Sequence, residues 1–319
     1  MFGRKRLVVI ITAFLLMLSL NLLGQGVLLS DEVINLKQNL PKTNLDFSTR
    51  RIGEGQLQQM EVTFIEIQPR GQVAAHKHLA EEMIYIVSGE GYTLMWSQEG
   101  DKRERYNWTK GDMLSPGLNV WHQHVNTSPD TTTQYLSLTS APLTYNLFHN
   151  AAFLSSSDHI FEDRWKQSIS KQAEYAPSEF QGPSVVRMQI GHHISNLPGR
   201  EMRERREGVL GITVLPEGDM AGNNIMEWEV REYQSKNASS PGHRHPWETV
   251  YYIMDGSGFA LLQRNGEPQR RVNWQEGDLI LVEADEFHEF HPLNNSSPRL
   301  WQVKASGYFH NVGNLGIEE

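Results

Sequence analysis

Two pairs of histidines, each separated by a single residue, are the first side chains in this 319-residue sequence that could do chemistry. Alternate residues of a β-strand project from the same face, so each pair can direct two imidazoles to one point. A third histidine follows each pair later in the chain and can complete a metal site. The two predicted sets are His76, His78 and His122, and His243, His245 and His288.

A carboxylate follows the first histidine pair and can add an oxygen ligand to the three nitrogens. This residue is Glu82, whereas the neighbouring Glu81 would face the opposite side of the strand. Three nitrogens and one oxygen suit Mn, Fe, Ni, Cu or Zn, and not Ca, which prefers oxygen ligands. The sequence has no cysteine, so thiolate zinc sites, iron–sulfur clusters and disulfides are excluded.

The second set differs from the first at one position. Thr249 stands where Glu82 stands in the first set, and it offers only a hydroxyl. The second site is therefore predicted to have three histidine ligands. A local bulge that turns Glu248 inward would instead restore a fourth ligand, and this alternative stays open. Tyr251 shares the predicted inward register of Thr249, so both are candidate catalytic residues, and the phenol could orient dioxygen or a substrate oxygen.

These residues lie in an internal repeat. Residues 76–91 align without gaps on residues 243–258, and residues 111–122 align on residues 277–288. The distance between the two copies changes by one residue from the first block to the second. Duplication of a whole domain explains both matches.

The elements that must position the histidines are short strands. Residues 60–67 and 226–233 alternate between apolar and polar side chains, as half-buried strands do. Glycine-rich turns recur at the density expected of an antiparallel sandwich or barrel. The sequence thus predicts an all-β fold, with one short helix at residues 163–175 between the two copies.

The paired blocks resemble the two conserved motifs of the cupin family. The first copy carries the residues of both motifs, although Pro116 stands one position early, and the family interval selects Glu82 as the carboxylate. The second copy has Glu283 and Asp285 where proline and glycine are usual. The resemblance covers residues 55–145 and 225–310 and implies two tandem cupin barrels of the double-stranded β-helix, jelly-roll-like type. The matching positions of the first copy are Gly71, His76, His78, Glu82, Gly89, Gly111, His122 and Asn126.

The resemblance also implies an activity. Cupin relatives with three-histidine iron cleave aromatic rings or oxidise thiols, and the gentisate-type dioxygenases lack the glutamate in a motif similar to His243-Arg-His245. We therefore expect a metal-dependent dioxygenase that acts on a small organic acid, with Fe or Mn as the leading metals. An oxalate-decarboxylase-like Mn enzyme is the alternative, although its typical HWH motif is absent. A cupin that only binds a metal or a small ligand is a second alternative.

The beginning of the chain predicts export. Three basic residues precede an apolar run at residues 7–23, and Gly24 and Gly26 suit cleavage after residue 26. Residues 1–26 are thus predicted to be a signal peptide, or else an N-terminal membrane anchor, which makes the protein extracytoplasmic. The predicted divisions after it are a first barrel at 27–150, an inter-barrel segment at 151–224 and a second barrel at 225–319.

Charge narrows the range of partners. The sequence has 29 Lys and Arg against 38 Asp and Glu, a net charge of −9, with a pI near 5.8. An acidic protein has no net field that attracts phosphate backbones, so nucleic acid is not an expected partner. The expected partner is a small-molecule substrate, and membrane attachment and homo-oligomerisation stay open.

Overall fold

The computed structural model describes residues 33–36, 46–162, 164–165, 174–177, 186–189, 192–214, 223–293 and 297–313. The predicted signal peptide or anchor at residues 1–26 lies outside these ranges. Within them, no helix is both long and apolar enough to cross a bilayer.

The regular elements of the described residues are twenty-two strands, three short α-helices and a 3-10 helix at Leu197–Gly199, besides a helical fragment around residues 162–165. The strands are β1 (Val33–Asn35), β2 (Phe47–Ile52), β3 (Glu61–Ile67), β4 (Glu82–Ser88), β5 (Glu90–Trp96), β6 (Glu104–Thr109), β7 (Met113–Leu114), β8 (Trp121–Asn126), β9 (Thr133–Thr139), β10 (Glu174–Pro177), β11 (Val186–Gln189), β12 (His193–Ile194), β13 (Arg203–Arg206), β14 (Val209–Val214), β15 (Glu227–Tyr233), β16 (Ser240–His243), β17 (Thr249–Asp255), β18 (Ser257–Gln263), β19 (Arg270–Gln275), β20 (Asp278–Val282), β21 (Phe287–Pro292) and β22 (Arg299–Lys304). The helices are α1 (Ala141–Phe148), α2 (Ala151–Ser156) and α3 (Ser306–Asn311).

Two barrels, each built from a large and a small antiparallel sheet, contain most of these strands. The first barrel has the sheets β12-β7-β4-β9-β3-β2 and β6-β5-β8. The second has β1-β20-β17-β22-β15-β14-β13 and β16-β21-β18-β19. Strands β10 and β11 form a separate ribbon. The predicted all-β fold of two tandem barrels is confirmed.

Glycine makes the tight turn that carries the chain from the large sheet to the small one in each barrel. Gly89 lies between β4 and β5 with a φ of 87°, and Gly256 lies between β17 and β18 with a φ of 81°. An added Cβ would lie 2.4 Å from Thr133 Oγ1 at the first turn and 2.6 Å from Pro298 Cβ at the second. Both the left-handed backbone and the close approach require glycine.

The two halves of the chain exchange strands. Strand β1 pairs with β20 of the second barrel, although it precedes the first barrel in the sequence. Strand β12 pairs with β7 of the first barrel. Strands β13 and β14 extend the large sheet of the second barrel. The segment predicted as inter-barrel, 151–224, thus supplies strands to both barrels.

The short helix predicted at residues 163–175 is wrong at its C-terminal end. Glu162, Arg164 and Trp165 are helical, and Trp165 N–H donates to the Phe161 carbonyl at 3.0 Å. Residues 166–173 lie outside the described ranges, and Tyr175 belongs to β10. Pairing with β11 keeps this segment extended, and a distant partner strand cannot be recognised from local propensity.

Aromatic side chains from both barrels share one core. The Tyr85 ring lies 5.2 Å from the Tyr252 ring and 5.3 Å from the Trp301 ring, and all three are buried. The outer faces of the two large sheets therefore pack on each other, which fixes the barrels relative to one another.

Two buried glutamates lock this interface in a reciprocal way. The Glu81 carboxylate accepts hydrogen bonds from the backbone N–H groups that lead into β15, at Asn224, at Ile225 (2.8 Å) and at Met226 (2.9 Å). The equivalent Glu248 carboxylate accepts from the backbone that leads into β3, at residues 58 (2.5 Å), 59 (2.8 Å) and 60 (3.0 Å). Each barrel thus satisfies three backbone donors of the other.

Glu81→Gln should destabilise the protein by about 2–4 kcal/mol, because an amide nitrogen would face backbone donors that need an acceptor. Urea unfolding measures the loss. Glu248→Gln should cost a similar amount, and the exposed Glu90→Gln should cost little. Equal stability of the Glu81, Glu248 and Glu90 variants would show that the two carboxylates do not hold the barrels together.

Candidate metal centres

The structure brings the first predicted histidine set together inside the first barrel. His76 pairs as an isolated bridge with His122 on β8, and His78 lies two residues further along the chain. Their ligand nitrogens all lie within 4.8 Å of one another. Glu82, the first residue of β4, places its Oε2 atom 3.3 Å from His78 Nε2 and 3.2 Å from His122 Nε2.

Backbone carbonyls orient these three imidazoles. His76 Nδ1 lies 2.8 Å from the Ala74 carbonyl oxygen, and the Nδ1 atoms of His78 and His122 lie 2.9 Å from the carbonyls of residues 80 and 120. A carbonyl only accepts, so each Nδ1 carries the proton and each Nε2 presents a lone pair to the centre. Histidine ligands of metals are held in this way.

Glu82 is held by one serine side chain and leaves one oxygen for a ligand. Ser137 Oγ donates to Glu82 Oε1 at 2.5 Å, and Ser115 Oγ donates to the Glu82 carbonyl at 2.8 Å. Glu82 Oε2 and His122 Nε2 are buried and have no hydrogen-bond partner among the described residues. Buried polar atoms without partners are costly, and a cation between them would satisfy both, so this donor set fits a divalent metal.

The pKa values of these groups reflect the same geometry. Burial would raise the pKa of Glu82, but the facing His122 and His78 imidazoles hold it well below its usual range. Burial lowers the pKa of His76 well below its usual range, and the neighbouring imidazoles lower it further. Glu82 is therefore a carboxylate and His76 a neutral imidazole, the protonation states that metal ligands need. Burial would lower the pKa of His78, but the Glu82 carboxylate raises it, so a metal bound there would displace the Nε2 proton.

The second predicted set is built in the same way. The ligand nitrogens of His243, His245 and His288 lie within 4.8 Å of one another. Their Nδ1 atoms lie 2.8, 2.8 and 2.9 Å from the carbonyl oxygens of residues 241, 247 and 286. Buried His288 Nε2 has no hydrogen-bond partner in the described part of the chain. Three lone pairs converge here as well.

Thr249 occupies the place of the missing carboxylate. In the first barrel, Glu61, Thr139 and Glu82 lie side by side across β3, β9 and β4. In the second barrel, the corresponding row across β15, β22 and β17 is Glu227, Lys304 and Thr249.

Glu248 does not turn inward. Its carboxylate accepts the three backbone hydrogen bonds at the barrel interface, so the alternative of a fourth ligand from Glu248 is not realised. Thr249 Oγ1 is buried without a hydrogen-bond partner among the described residues. The second centre has three imidazoles and a hydroxyl.

Tyr251 lies in the core of the second barrel. Its ring is 4.3 Å from the Phe290 ring and 6.3 Å from the His288 ring. Burial raises the pKa of its phenol far above the usual range, so the hydroxyl keeps its proton. The catalytic roles of Tyr251 and Thr249 stay predictions.

A cavity of about 310 Å³ opens onto the first centre. Its wall is mainly apolar, and Arg51 and Glu61, whose side chains pair at 3.2 Å, supply charge. Residues of helices α1 and α2 form one side of the cavity. The lining residues include Phe47, Thr49, Thr63, Ile65, Val73, His76, His78, Ala80, Glu82, Tyr135, Ser137, Thr139, Ala141, Pro142, Tyr145, Ala151 and Leu154.

The corresponding face of the second barrel carries an ion-pair cluster that the sequence did not reveal. At its centre Glu229, fully buried, pairs with Arg205, with Arg231 (2.8 Å) and with Lys304 (3.0 Å). Lys304 also pairs with Glu227 at 3.0 Å. Strand alternation places Glu227, Glu229 and Arg231 on one face of β15. Their partners Arg205 and Lys304 come from β13 and β22, and the sequence pattern does not show which strands are neighbours.

Comparison with known proteins agrees with this description. Residues 63–139 match the model of the cupin domain family. An acireductone dioxygenase of Phaeosphaeria nodorum is 31% identical over 108 residues, which are 31% of this chain and 53% of that protein. The chain thus matches about half the length of this curated relative.

Solved two-barrel structures are similar over most of the chain. An oxalate decarboxylase of Lactobacillus farciminis, in a formate complex, has a TM-score of 0.58 at 13% identity, covering 86% of this chain and 85% of that one. A salicylate 1,2-dioxygenase of Pseudaminobacter salicylatoxidans has a TM-score of 0.58 at 12% identity, covering 82% and 75%. The cupin resemblance is confirmed: the first barrel contains a cupin domain, and the chain has the bicupin fold.

His78→Ala should lower the affinity of the first centre for a divalent metal by more than about 100-fold, because changes merely next to metal ligands already cost 10- to 100-fold. Metal analysis of the dialysed protein measures the loss. The exposed His159→Ala is the matched control and should retain the wild-type metal content. Unchanged metal content in His78→Ala would contradict the assignment of this ligand.

Proposed function

We propose that this protein is a metal-dependent oxidoreductase of the dioxygenase type, with its active centre in the first barrel and a small organic acid as substrate. The observation that carries the proposal is the cavity, which leads to a centre of three imidazoles and one carboxylate. Both the acireductone dioxygenase and the salicylate 1,2-dioxygenase similarities support it.

The cavity favours a substrate with an apolar body. Apolar side chains dominate the wall, and they would contact a ring or a short chain closely. Arg51 offers a positive charge to a substrate carboxylate, in competition with Glu61. An aromatic acid combines these two features, and it is the first class to test.

The residues around the centre would have separate tasks. Ser137 fixes one oxygen of Glu82, so that the other oxygen faces the histidines. The wall formed by α1 and α2 would keep water away from the bound substrate. A bound divalent metal would supply Lewis acidity and, as iron or manganese, one-electron chemistry. We propose iron or manganese, while nickel, copper and zinc also suit the ligands.

Oxalate-decarboxylase-like manganese chemistry is the second candidate. It is favoured by the carboxylate ligand Glu82 and by the fold shared with oxalate decarboxylases, of which one structure is described by its Mn(II) centres. Oxalate has no apolar surface, however, and would leave the apolar wall without a contact. A cupin that only binds a metal or a small ligand is the third candidate.

The purified protein loaded with iron or manganese should consume oxygen with a gentisate-like or salicylate-like acid. Oxygen uptake with a panel of such acids, and formate or carbon dioxide release from oxalate, separate the first two candidates. Bound metal with no turnover of any of these compounds would favour the binding-only candidate.

Ala151→Trp should lower kcat/KM roughly 10- to 100-fold while metal content stays unchanged, because the indole would fill part of the cavity beside α2. The adjacent Ala152→Trp is the matched control, since Ala152 is exposed and does not line the cavity. Equal kinetics of the two variants would place the substrate outside this cavity.

We also propose that the protein acts outside the cytoplasm, either free or attached to a membrane by its N-terminal segment. The basic residues 4–6 and the apolar run at residues 7–23 support this proposal. Cell fractionation should recover the protein outside the cytoplasm, and N-terminal sequencing should begin after residue 26 if the segment is cleaved. Recovery of the protein in the cytoplasm with residues 1–26 intact would contradict export.

A further inference from the structure

The interior of the second barrel differs from that of the first in charge. Where the first barrel has Thr63, Ile65 and Thr139 on the cavity wall, the second has Glu229, Arg231 and Lys304 at the same register positions. Arg205, from β13, adds a further cation that pairs with Glu229. The inner wall of the second barrel therefore carries, beside the second histidine set, a charged cluster that consists of Glu227, Glu229, Arg205, Arg231 and Lys304.

The cluster uses both oxygens of Glu229, whereas Glu227 accepts only through Oε1, and its buried Oε2 has no hydrogen-bond partner among the described residues. Glu229 Oε2 accepts from Lys304 Nζ at 3.0 Å and from Gln302 Nε2 at 2.6 Å, and Arg231 donates to both of its oxygens. Glu227 accepts from Lys304 at 3.0 Å. Two carboxylates thus face three cations, Arg205, Arg231 and Lys304, so the cluster has an excess positive charge.

A metal in the second centre would add two positive charges without a carboxylate ligand to offset them. In the first centre, Glu82 provides that carboxylate, and Arg51 pairs with Glu61. In the second, Thr249 provides only a hydroxyl. Buried charge without a counter-charge is strongly unfavourable, so a divalent metal here needs a negative partner from solution.

The place for that partner is at Thr249. Thr249 is completely buried, and its Oγ1 atom has no hydrogen-bond partner among the described residues. Thr249 occupies the position from which Glu82 approaches the imidazoles of the first centre. Lys304 is the next residue in the same row, and its ammonium has three N–H donors, of which two are directed to Glu227 and Glu229. A hydroxyl donor and an ammonium donor therefore flank the site.

We propose that the second centre binds its metal together with a small carboxylate-type anion, which replaces the missing glutamate ligand and accepts hydrogen bonds from Thr249 and Lys304. The anion is a component of the site and not a substrate of the first barrel. The proposal goes beyond the proposed function, because no ligand of the first centre takes part.

The test uses the full chain with His78→Ala and His122→Ala, which removes the first centre. Mn²⁺ is titrated by calorimetry at constant ionic strength in chloride, in chloride with acetamide, and in acetate. Acetate should raise the affinity for Mn²⁺ by about 5- to 150-fold, the usual range of coupling between two ligands, and acetamide, which has nearly the same shape without the charge, should not. The affinity for acetate should rise by the same factor when Mn²⁺ is bound.

Thr249→Glu in this background supplies the carboxylate within the chain. It should bind Mn²⁺ tightly in chloride, and the effect of acetate should disappear. Thr249→Val keeps the shape of the side chain without the hydroxyl and should reduce the effect of acetate, which keeps the proposal testable if Thr249→Glu does not fold.

Equal Mn²⁺ affinity in the three solutions, or no Mn²⁺ binding by the folded double variant in any of them, would overturn the proposal. Either result leaves the proposed chemistry of the first barrel untouched, because two of the four ligands of that barrel, His78 and His122, are absent from the tested variant. If the wild-type protein consumes no oxygen with any of the tested acids while the acetate effect is present, only the proposed function is overturned.

Discussion

The orientation of six imidazoles is the constraint on which both candidate centres depend. In each barrel, the first and third histidines direct Nδ1 to the carbonyl two residues before them, and the second directs Nδ1 to the carbonyl two residues after it. The acceptor therefore belongs to the same stretch of backbone as the histidine. The imidazole orientation is therefore the same in both centres, although the residues around them differ.

That divergence is concentrated on one face of each large sheet. In the first barrel, threonines and apolar residues leave room for a ligand beside the histidines. In the second barrel, Glu229, Arg231 and Lys304 occupy the equivalent positions, and Arg205 from β13 adds a third cation. Ion pairs of this kind are expensive to bury, and Glu229 offsets part of that cost by accepting from Arg205, Arg231, Lys304 and Gln302. The same fold thus encloses a cavity in the first barrel and an ion-pair network in the second.

The sequence was sufficient for those features that depend on spacing over a few neighbouring residues of extended backbone. The two-residue interval of His76 and His78 predicts convergence, and the opposite directions of Glu81 and Glu82 follow from strand alternation. The residues that these side chains contact could not be predicted from local spacing. Glu81 binds backbone groups near residue 225, and Lys304 meets Glu227 across a strand pairing, so both contacts depend on tertiary structure. The exchange of β1 and β12 between the halves has no local signal either, because very short strands are recognisable only by the strand that they join.

The exchange of β1 has a consequence for biosynthesis. The partner of Val33 is Ile280, so the earliest described strand must wait unpaired until almost the whole polypeptide has left the ribosome. Closing so long a loop is slow, and an apolar strand that lacks its neighbour invites association with other chains in the meantime. A holding chaperone that shields this region during synthesis would relieve that exposure, and maturation would end when β1 docks on the finished second barrel.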